Sequence, residues 1–387
     1  MRVLISGGGT GGHVYPALAV AMQLQQHYNA EILYLGSDDG LETRLVPATG
    51  LRLKTIQAGK LQRYVSWHTV TGIARIPVGM TQAVSIVRSF RPDVAFTSGG
   101  YVAVPAGLAA RIHGVPFLMH QQDVPPNLSN KLLAPLATRI SVAFADSQRF
   151  FPVRKTLHLG NPIRQAILDV RTVSPQQACT NLGLTPDLPL VLVTGGSQGA
   201  RHLNQTVCHT LPELLQQCQV LQISGSNLYE ETKALADEKL AGIDEETRQR
   251  YRLEPYMDAE MALALQAAEI VLCRSGASVL SELAVLSKPS ILVPLPPAIG
   301  SSPQEANAAM FQREGAAEVI VDNLLKPELL LNRVTSILSQ PARLQAMSEA
   351  ATKLAKPNAT QAIVEAIVTM AKGTVAKTPS TYEVTSI

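Results

Sequence analysis

A short apolar strand that runs straight into a glycine-rich turn and then a helix occurs twice in this chain. The two copies read VLISGGGTGGH at residues 3–13 and LVLVTGGSQGA at 190–200. Each opens a βα series, and two series in 387 residues, a two-domain length, predict an α/β chain. The expected fold is two doubly wound domains facing each other across a cleft. Strands are expected at 2–6, 31–35, 93–97 and 116–120, with helices over 16–27 and 104–112. The second series gives strands at 190–194, 220–224, 270–273 and 290–293, with helices over 200–215, 279–286 and 341–371. The expected boundaries are 1–163 and 164–340, then helices over 341–372 packing back toward the first domain, then a frayed tail at 373–387. In open parallel sheets ligands bind beyond the carboxyl ends of the strands, where both glycine turns would sit.

Composition removes several classes. At 46% hydrophobic residues the chain is not a disordered polymer. Its four cysteines (Cys179, Cys208, Cys218, Cys273) all lie beyond residue 160 and never form C-x-x-C. That pattern argues against a disulfide framework or zinc site and suits a reducing cytosol. The first 13 residues lack the apolar core and cleavage site of a signal peptide. The longest apolar stretch, 101–112, contains Pro105 and Gly107 and falls short of the roughly 20 residues of a membrane span. Residues 1–160 hold 15 basic and 7 acidic side chains, a balance of +8, while the rest balance at −5. Such asymmetry suggests different partners for the two halves. A barely cationic total with few aromatics in the basic segment disfavours nucleic acid.

Three readings compete for Gly7-Gly8-Gly9-Thr10-Gly11-Gly12-His13. Glycines let backbone N–H groups approach an anion, and a helix with Pro16 at its first turn would add its positive end. A Walker loop needs Gly-Lys-Ser/Thr, which is missing. The dinucleotide pattern fits Gly7, Gly9 and Gly12, but no clear ribose-binding acid follows Gly36-Ser37-Asp38. The third reading is a turn that shares one diphosphate with Gly195-Gly196-Ser197-Gln198-Gly199-Ala200. It needs no metal, and Asp38-Asp39 is no D-x-D motif. A third strand–turn–helix unit spans 273–282, with Gly276 at the turn, Ser278 as N-cap, and Glu282 placed to reach two adjacent sugar hydroxyls.

Together, GGGTGGHVYPALA at 7–19, SGGYVAVP at 98–105, GNPIR at 160–164, GGSQGARHLN at 195–204 and CRSGASVLSEL at 273–283 resemble the MurG family of peptidoglycan N-acetylglucosaminyltransferases. The resemblance covers about residues 1–370 and implies a GT-B fold, no required metal and no cofactor. It implies inverting transfer from UDP-GlcNAc to the 4-hydroxyl of undecaprenyl-diphosphate-linked N-acetylmuramyl pentapeptide. The acceptor would sit on the first domain and the donor mainly on the second.

Carried over by position, Thr10, Gly11 and Gly12 would contact the donor diphosphate or sugar, Arg164 and Ser197 the nucleotide, and Glu282 the ribose. Met257 lies in the segment expected against uracil, and Gln304 matches the family's sugar-contacting glutamine. Ala277 and Ser278 complete the donor set. Where the family shows H-E-Q-N, this chain has His120-Gln121-Gln122-Asp123, so Asp123 replaces an amide expected on the donor sugar. An aspartate accepts from hydroxyls but offers no N–H donor. His13 is the candidate base, with Asp123 an outside candidate; a histidine that only orders the loop is the competing reading.

Residues 60–91 interleave Leu61, Tyr64, Val65, Trp67, Val70, Ile73, Ile76, Val78 and Met80 with Lys60, Arg63, Arg75, Arg88 and Arg91. That mixture fits a peripheral protein on the cytoplasmic face of an anionic membrane. Competing functions are another UDP-sugar enzyme of the same fold, including a UDP-GlcNAc 2-epimerase, a nicotinamide-dependent oxidoreductase, and a non-catalytic sugar-nucleotide sensor.

Overall fold

The computed structural model describes residues 1–58, 67–196, 198–296 and 304–373, with the backbone alone for 67–76. Contacts divide the chain into two units. One is Met1–Pro162 with the described residues from Asn358 on, and the other is Ile163–Pro357.

The first unit is built on seven parallel strands: β1 (Arg2–Ser6), β2 (Glu31–Ser37), β3 (Arg52–Ile56), β4 (Val94–Thr97), β5 (Phe117–Gln121), β6 (Arg139–Val142) and β7 (Thr156–His158). Their order is β3-β2-β1-β4-β5-β6-β7. Side chains alternate across a strand, so a sheet covered on both faces needs both alternating sets apolar. In β1, Val3 and Ile5 pack with the helices Gly11–Tyr28 and Ala359–Ala371, while Leu4 joins Ala83, Val87 and Ala106 of the helices Trp67–Phe90 and Ala103–Ile112. Strand order reverses between β1 and β4, where Ser6 pairs with Thr97. The turns after these two strands therefore meet at the switch point, the usual ligand position in this architecture.

The second unit repeats the plan with β8 (Leu190–Thr194), β9 (Gln219–Ile223), β10 (Tyr251–Glu254), β11 (Ile270–Cys273), β12 (Ser290–Leu292) and β13 (Ala317–Val319), in the order β10-β9-β8-β11-β12-β13. Its switch point lies between β8 and β11, whose ends pair as Thr194 with Cys273. Val191 and Val193 meet Leu203, Val207 and Leu211 of the helix Arg201–Leu214 in the core.

Three expectations need correction. The helix expected to open at Pro16 opens at Gly11, and Pro16 is buried inside it. Its first turn is closed by the Thr10 carbonyl, which accepts from the N–H groups of His13 and Val14 at 3.1 Å each. Packing against the β4 turn thus outweighs the poor helix propensity of two glycines. The N-cap of the helix Ala277–Val285 is Gly276, with extended backbone, so Ser278 lies inside the helix as its second residue. The single helical pattern over 341–371 is two helices, Pro341–Leu354 and Ala359–Ala371, broken before Pro357, whose ring excludes helix for the residue preceding it. Pro341–Leu354 packs on the helix Ala277–Val285 of the second unit, and only Ala359–Ala371 joins the first.

Candidate functional site

At the switch point of the first unit, the glycine turn is tied down from two sides. The Ser98 hydroxyl donates to the His13 carbonyl at 2.7 Å, and His13 Nδ1 lies 3.0 Å from the Ser98 carbonyl. Gln122 Nε2 donates to the same carbonyl oxygen at 2.9 Å. A carbonyl only accepts, so the shorter Ser98 contact places the His13 proton on Nδ1 and leaves Nε2 as the basic nitrogen; Gln122 Nε2, also 3.3 Å from Nδ1, then donates to the Ser98 carbonyl alone. Burial pulls the His13 pKa below the ordinary imidazole value. The charge of Asp123, the Ser98 contact and the charge of Glu42 push the other way without overcoming it. A neutral imidazole with a defined lone pair is what a general base requires.

Thr10 is exposed and extended, and its side chain does not cap the helix it precedes. Gly9, before it, has φ +90°, a conformation that glycine adopts without strain. The partly exposed Gly11 and exposed Gly12 form the first helical turn. Their positive helix end is a place for an anion. Asp123 is 8% exposed; its carbonyl accepts from Gln121 Nε2 at 2.7 Å and Ser147 Oγ at 3.2 Å.

Behind these residues lies a buried polar row that spacing alone did not single out. His120 has no exposure. Its Nδ1 sits 3.0 Å from Ser141 Oγ and its Nε2 3.0 Å from Asn161 Oδ1. The amide oxygen only accepts, so Nε2 carries the proton and Nδ1 accepts from the serine hydroxyl. Burial, first of all, pulls the His120 pKa down to about 4.

Folding therefore holds this histidine neutral, whereas the unfolded chain takes up its proton near pH 6.5. Its contribution to stability is full above pH 6.5 and is lost as pH falls toward 4, by about 3 kcal/mol in all. His120→Asn should flatten that part of the pH dependence. Urea unfolding followed by circular dichroism across this window checks it. Parallel curves for wild type and variant would refute the assignment.

In the second unit, the helix Arg201–Leu214 begins after Ala200 without a side-chain cap. The turn before it is held by Gly199 N–H donating to the Gly196 carbonyl at 2.9 Å and Gly196 N–H to Thr194 Oγ1 at 3.2 Å. Ser197 lies outside the described residues. Across the switch point, the helix Ala277–Val285 likewise has no side-chain cap at Gly276. Ala277 is buried and Ser278 partly exposed.

Glu282 is already engaged, and sequence reasoning missed its partner 118 residues away. Its Oε1 accepts from Arg164 Nε at 2.7 Å and its Oε2 from Arg164 Nη2 at 2.9 Å. The planar fork matches the carboxylate and fixes its orientation. Gln304 Oε1 accepts from Leu295 N–H at 3.0 Å, and its carbonyl accepts from Ser275 Oγ at 2.8 Å, so Gln304 is fastened beside the Gly276 turn. Met257 is buried, with Asp258 to Glu260 exposed after it. Among the described residues no group of three or more His, Cys, Asp or Glu side chains is arranged to hold a metal ion.

Residues 3–142 match the Glycosyltransferase family 28 N-terminal domain and residues 190–363 the Glycosyltransferase family 28 C-terminal domain. The chain is 37% identical over 378 residues to the UDP-N-acetylglucosamine--N-acetylmuramyl-(pentapeptide) pyrophosphoryl-undecaprenol N-acetylglucosamine transferase of Halothermothrix orenii, covering 96% of this chain and 100% of that relative. It is 40% identical over 380 residues to the transferase of the same name from Desulforudis audaxviator, covering 97% and 100%. Among solved structures, MurG of Acinetobacter baumannii is similar with a TM-score of 0.72 at 29% identity, covering 95% of this chain and 99% of that one. The UDP-GlcNAc 2-epimerase of Neisseria meningitidis, at 15% identity, TM-score 0.66 and coverage of 95% and 100%, shares the fold.

Proposed function

Because the chain belongs to glycosyltransferase family 28, within its N-acetylmuramyl-(pentapeptide) pyrophosphoryl-undecaprenol N-acetylglucosamine transferases, we propose that it makes the lipid-linked disaccharide of peptidoglycan. It is a hexosyltransferase that moves N-acetylglucosamine from UDP-GlcNAc to undecaprenyl-diphosphate-linked N-acetylmuramyl pentapeptide. Identity along the whole chain to relatives of one named activity carries this reading. The test supplies UDP-GlcNAc and the lipid-linked muramyl pentapeptide and looks for the disaccharide product. UDP released at the same rate without the lipid would overturn it in favour of an epimerising or hydrolytic enzyme.

In the proposed step the muramyl 4-hydroxyl oxygen bonds to the anomeric carbon while the bond from that carbon to the diphosphate breaks. Inversion follows from attack opposite the leaving group. The hydroxyl proton passes to His13 Nε2, and UDP departs with the electron pair of the broken bond. Thr10, Gly11 and Gly12 supply the positive helix end for developing charge. Arg164, Ser197, Met257, Ala277, Ser278, Glu282 and Gln304 hold the donor, and Asp123 accepts from a sugar hydroxyl. Support comes from the uncapped turns and from the fastened side chains of Glu282 and Gln304.

The lipid substrate requires a membrane surface, and we assign that contact to residues 60–91. Residues 60–66 of this segment lie outside the described ones, as do the side chains of 67–76. Further along the helix Trp67–Phe90, Val78 is 43% exposed and Arg88 is exposed, as is Arg91 just after it. Leu132 and Val153 of the same unit are exposed among Lys131, Arg154 and Lys155, and Lys155 Nζ reaches the Pro135 carbonyl at 3.0 Å. Apolar insertion with cationic attraction gives peripheral binding. No helix among the described residues is long and apolar enough to cross a membrane. The protein should sediment with vesicles containing anionic lipid and lose that binding at high salt. Equal binding to neutral vesicles would remove the electrostatic contribution.

A further inference from the structure

One side chain beneath the glycine turn belongs to no expected site, and it is a buried carboxylate. Glu42 has no exposure. Its Oε2 accepts from Gly9 N–H at 3.0 Å, and its Oε1 from Ser37 N–H at 2.8 Å and Ser37 Oγ–H at 2.7 Å. Among the described residues no lysine or arginine pairs with it. Three glycines close around it: a Cβ at Gly8 or Gly40 would overlap its carboxylate, and one at Gly36 its Cγ. Burying a carboxylate without a cation costs several kcal/mol, offset here only by hydrogen bonds to its oxygens. A residue that merely started the helix Glu42–Ala48 would have no need of that position.

We propose that Glu42 is a positioning residue for the transfer: through Gly9 N–H it sets the course of the glycine turn and so the placement of His13. This rests on the reading of His13 as base. The charged and titratable groups around that imidazole are Asp123, after β5, Glu42, and His120 within β5. Glu42 itself also faces Tyr34 and Tyr101. A negative neighbour favours the imidazolium, so Glu42 offsets part of the fall that burial imposes on His13.

Glu42→Gln tests this. With the amide oxygen kept toward Ser37, its NH2 meets the Gly9 N–H donor to donor, and the charge is gone. The expected result is a fall in kcat of about 10- to 100-fold, the scale of a misplaced catalytic group, with KM for UDP-GlcNAc unchanged. The acid limb of the kcat profile should move to lower pH. Glu42→Asp keeps the charge at shorter reach, so its kcat falls while its acid limb stays at the wild-type position. Should Glu42→Gln fail to fold, Ser37→Ala, which removes one of the three bonds, is expected to lower kcat several-fold at constant KM. Wild-type kcat in the variant that folds, or a fall in Glu42→Gln with an unmoved acid limb, would overturn the proposal. Failure of the base assignment is seen separately, as wild-type turnover in His13→Ala. If that assignment holds, Glu42→Gln should cost nothing further in the His13→Ala background, and an additive fall would also overturn the proposal.

Discussion

His13→Ala is expected to lower kcat by about 10²- to 10⁴-fold, the usual worth of general base catalysis, with KM for UDP-GlcNAc changed by no more than about two-fold. The split follows from position. His13 is in the first turn of a helix whose Nδ1 contact is the Ser98 carbonyl, so its removal deletes the basic Nε2 while Ser98 and Gln122 remain bonded to backbone. In the wild type, burial places the imidazole pKa below 6.5, so the acid limb of the kcat profile should lie below that pH. The base works when neutral, so turnover rises as pH climbs through that limb and is lost beneath it. His13→Ala should flatten the limb as well as lower the plateau. Turnover near wild type, or a full acid limb surviving in the variant, would end the assignment. A histidine that only ordered the loop would instead raise KM and melt the glycine turn without changing the profile's shape.

How far such a site can be read from sequence depends on whether its chemistry is local. The strand–glycine–helix units are contiguous, so residues 3–13, 190–200 and 273–282 marked both switch points, and largely apolar strands alternating with helices pointed to parallel sheets. His13 and Glu282 were legible because they sit inside those motifs. Glu42 was not, nor were the roles of Ser98 and Asn161, though both sit in the quoted motifs at 98–105 and 160–164, because their partners lie 33, 85 and 41 residues away. The pairing of β1 with β2 and β4, of β5 with β6, and of β6 with β7 brings those partners together. Proline misled at Pro16: its preference for the first helical turn is statistical, and this helix tolerates it inside. It guided poorly at Pro357 too, where periodicity on both sides concealed a break between units. The short strands β7 and β13, three residues each, carry too little alternation to locate from pattern alone.

Glu282→Ala should raise KM for UDP-GlcNAc by about 10-fold or more, since hydrogen bonds to a charged group are worth roughly 1.5–3 kcal/mol and the proposed ribose contact is lost. The Arg164 guanidinium is also left with no carboxylate, a cost that falls on free and donor-bound enzyme alike. The Arg164 side chain is 27% exposed and that of Glu282 11%, so solvent replaces the partner only incompletely. The same pair decides what Arg164 does. If Arg164 binds nucleotide independently, the motif-based expectation, the losses from Arg164→Ala and Glu282→Ala should add. If it acts by presenting the carboxylate, as the two bonds at 2.7 and 2.9 Å suggest, the double variant should bind UDP hardly worse than Glu282→Ala alone. The coupling would then be about 1–3 kcal/mol. Titration calorimetry with UDP on the four proteins of this cycle distinguishes the cases, because it needs no turnover. Additive losses would return Arg164 to the nucleotide, and UDP affinity undiminished in Glu282→Ala would remove the ribose assignment itself.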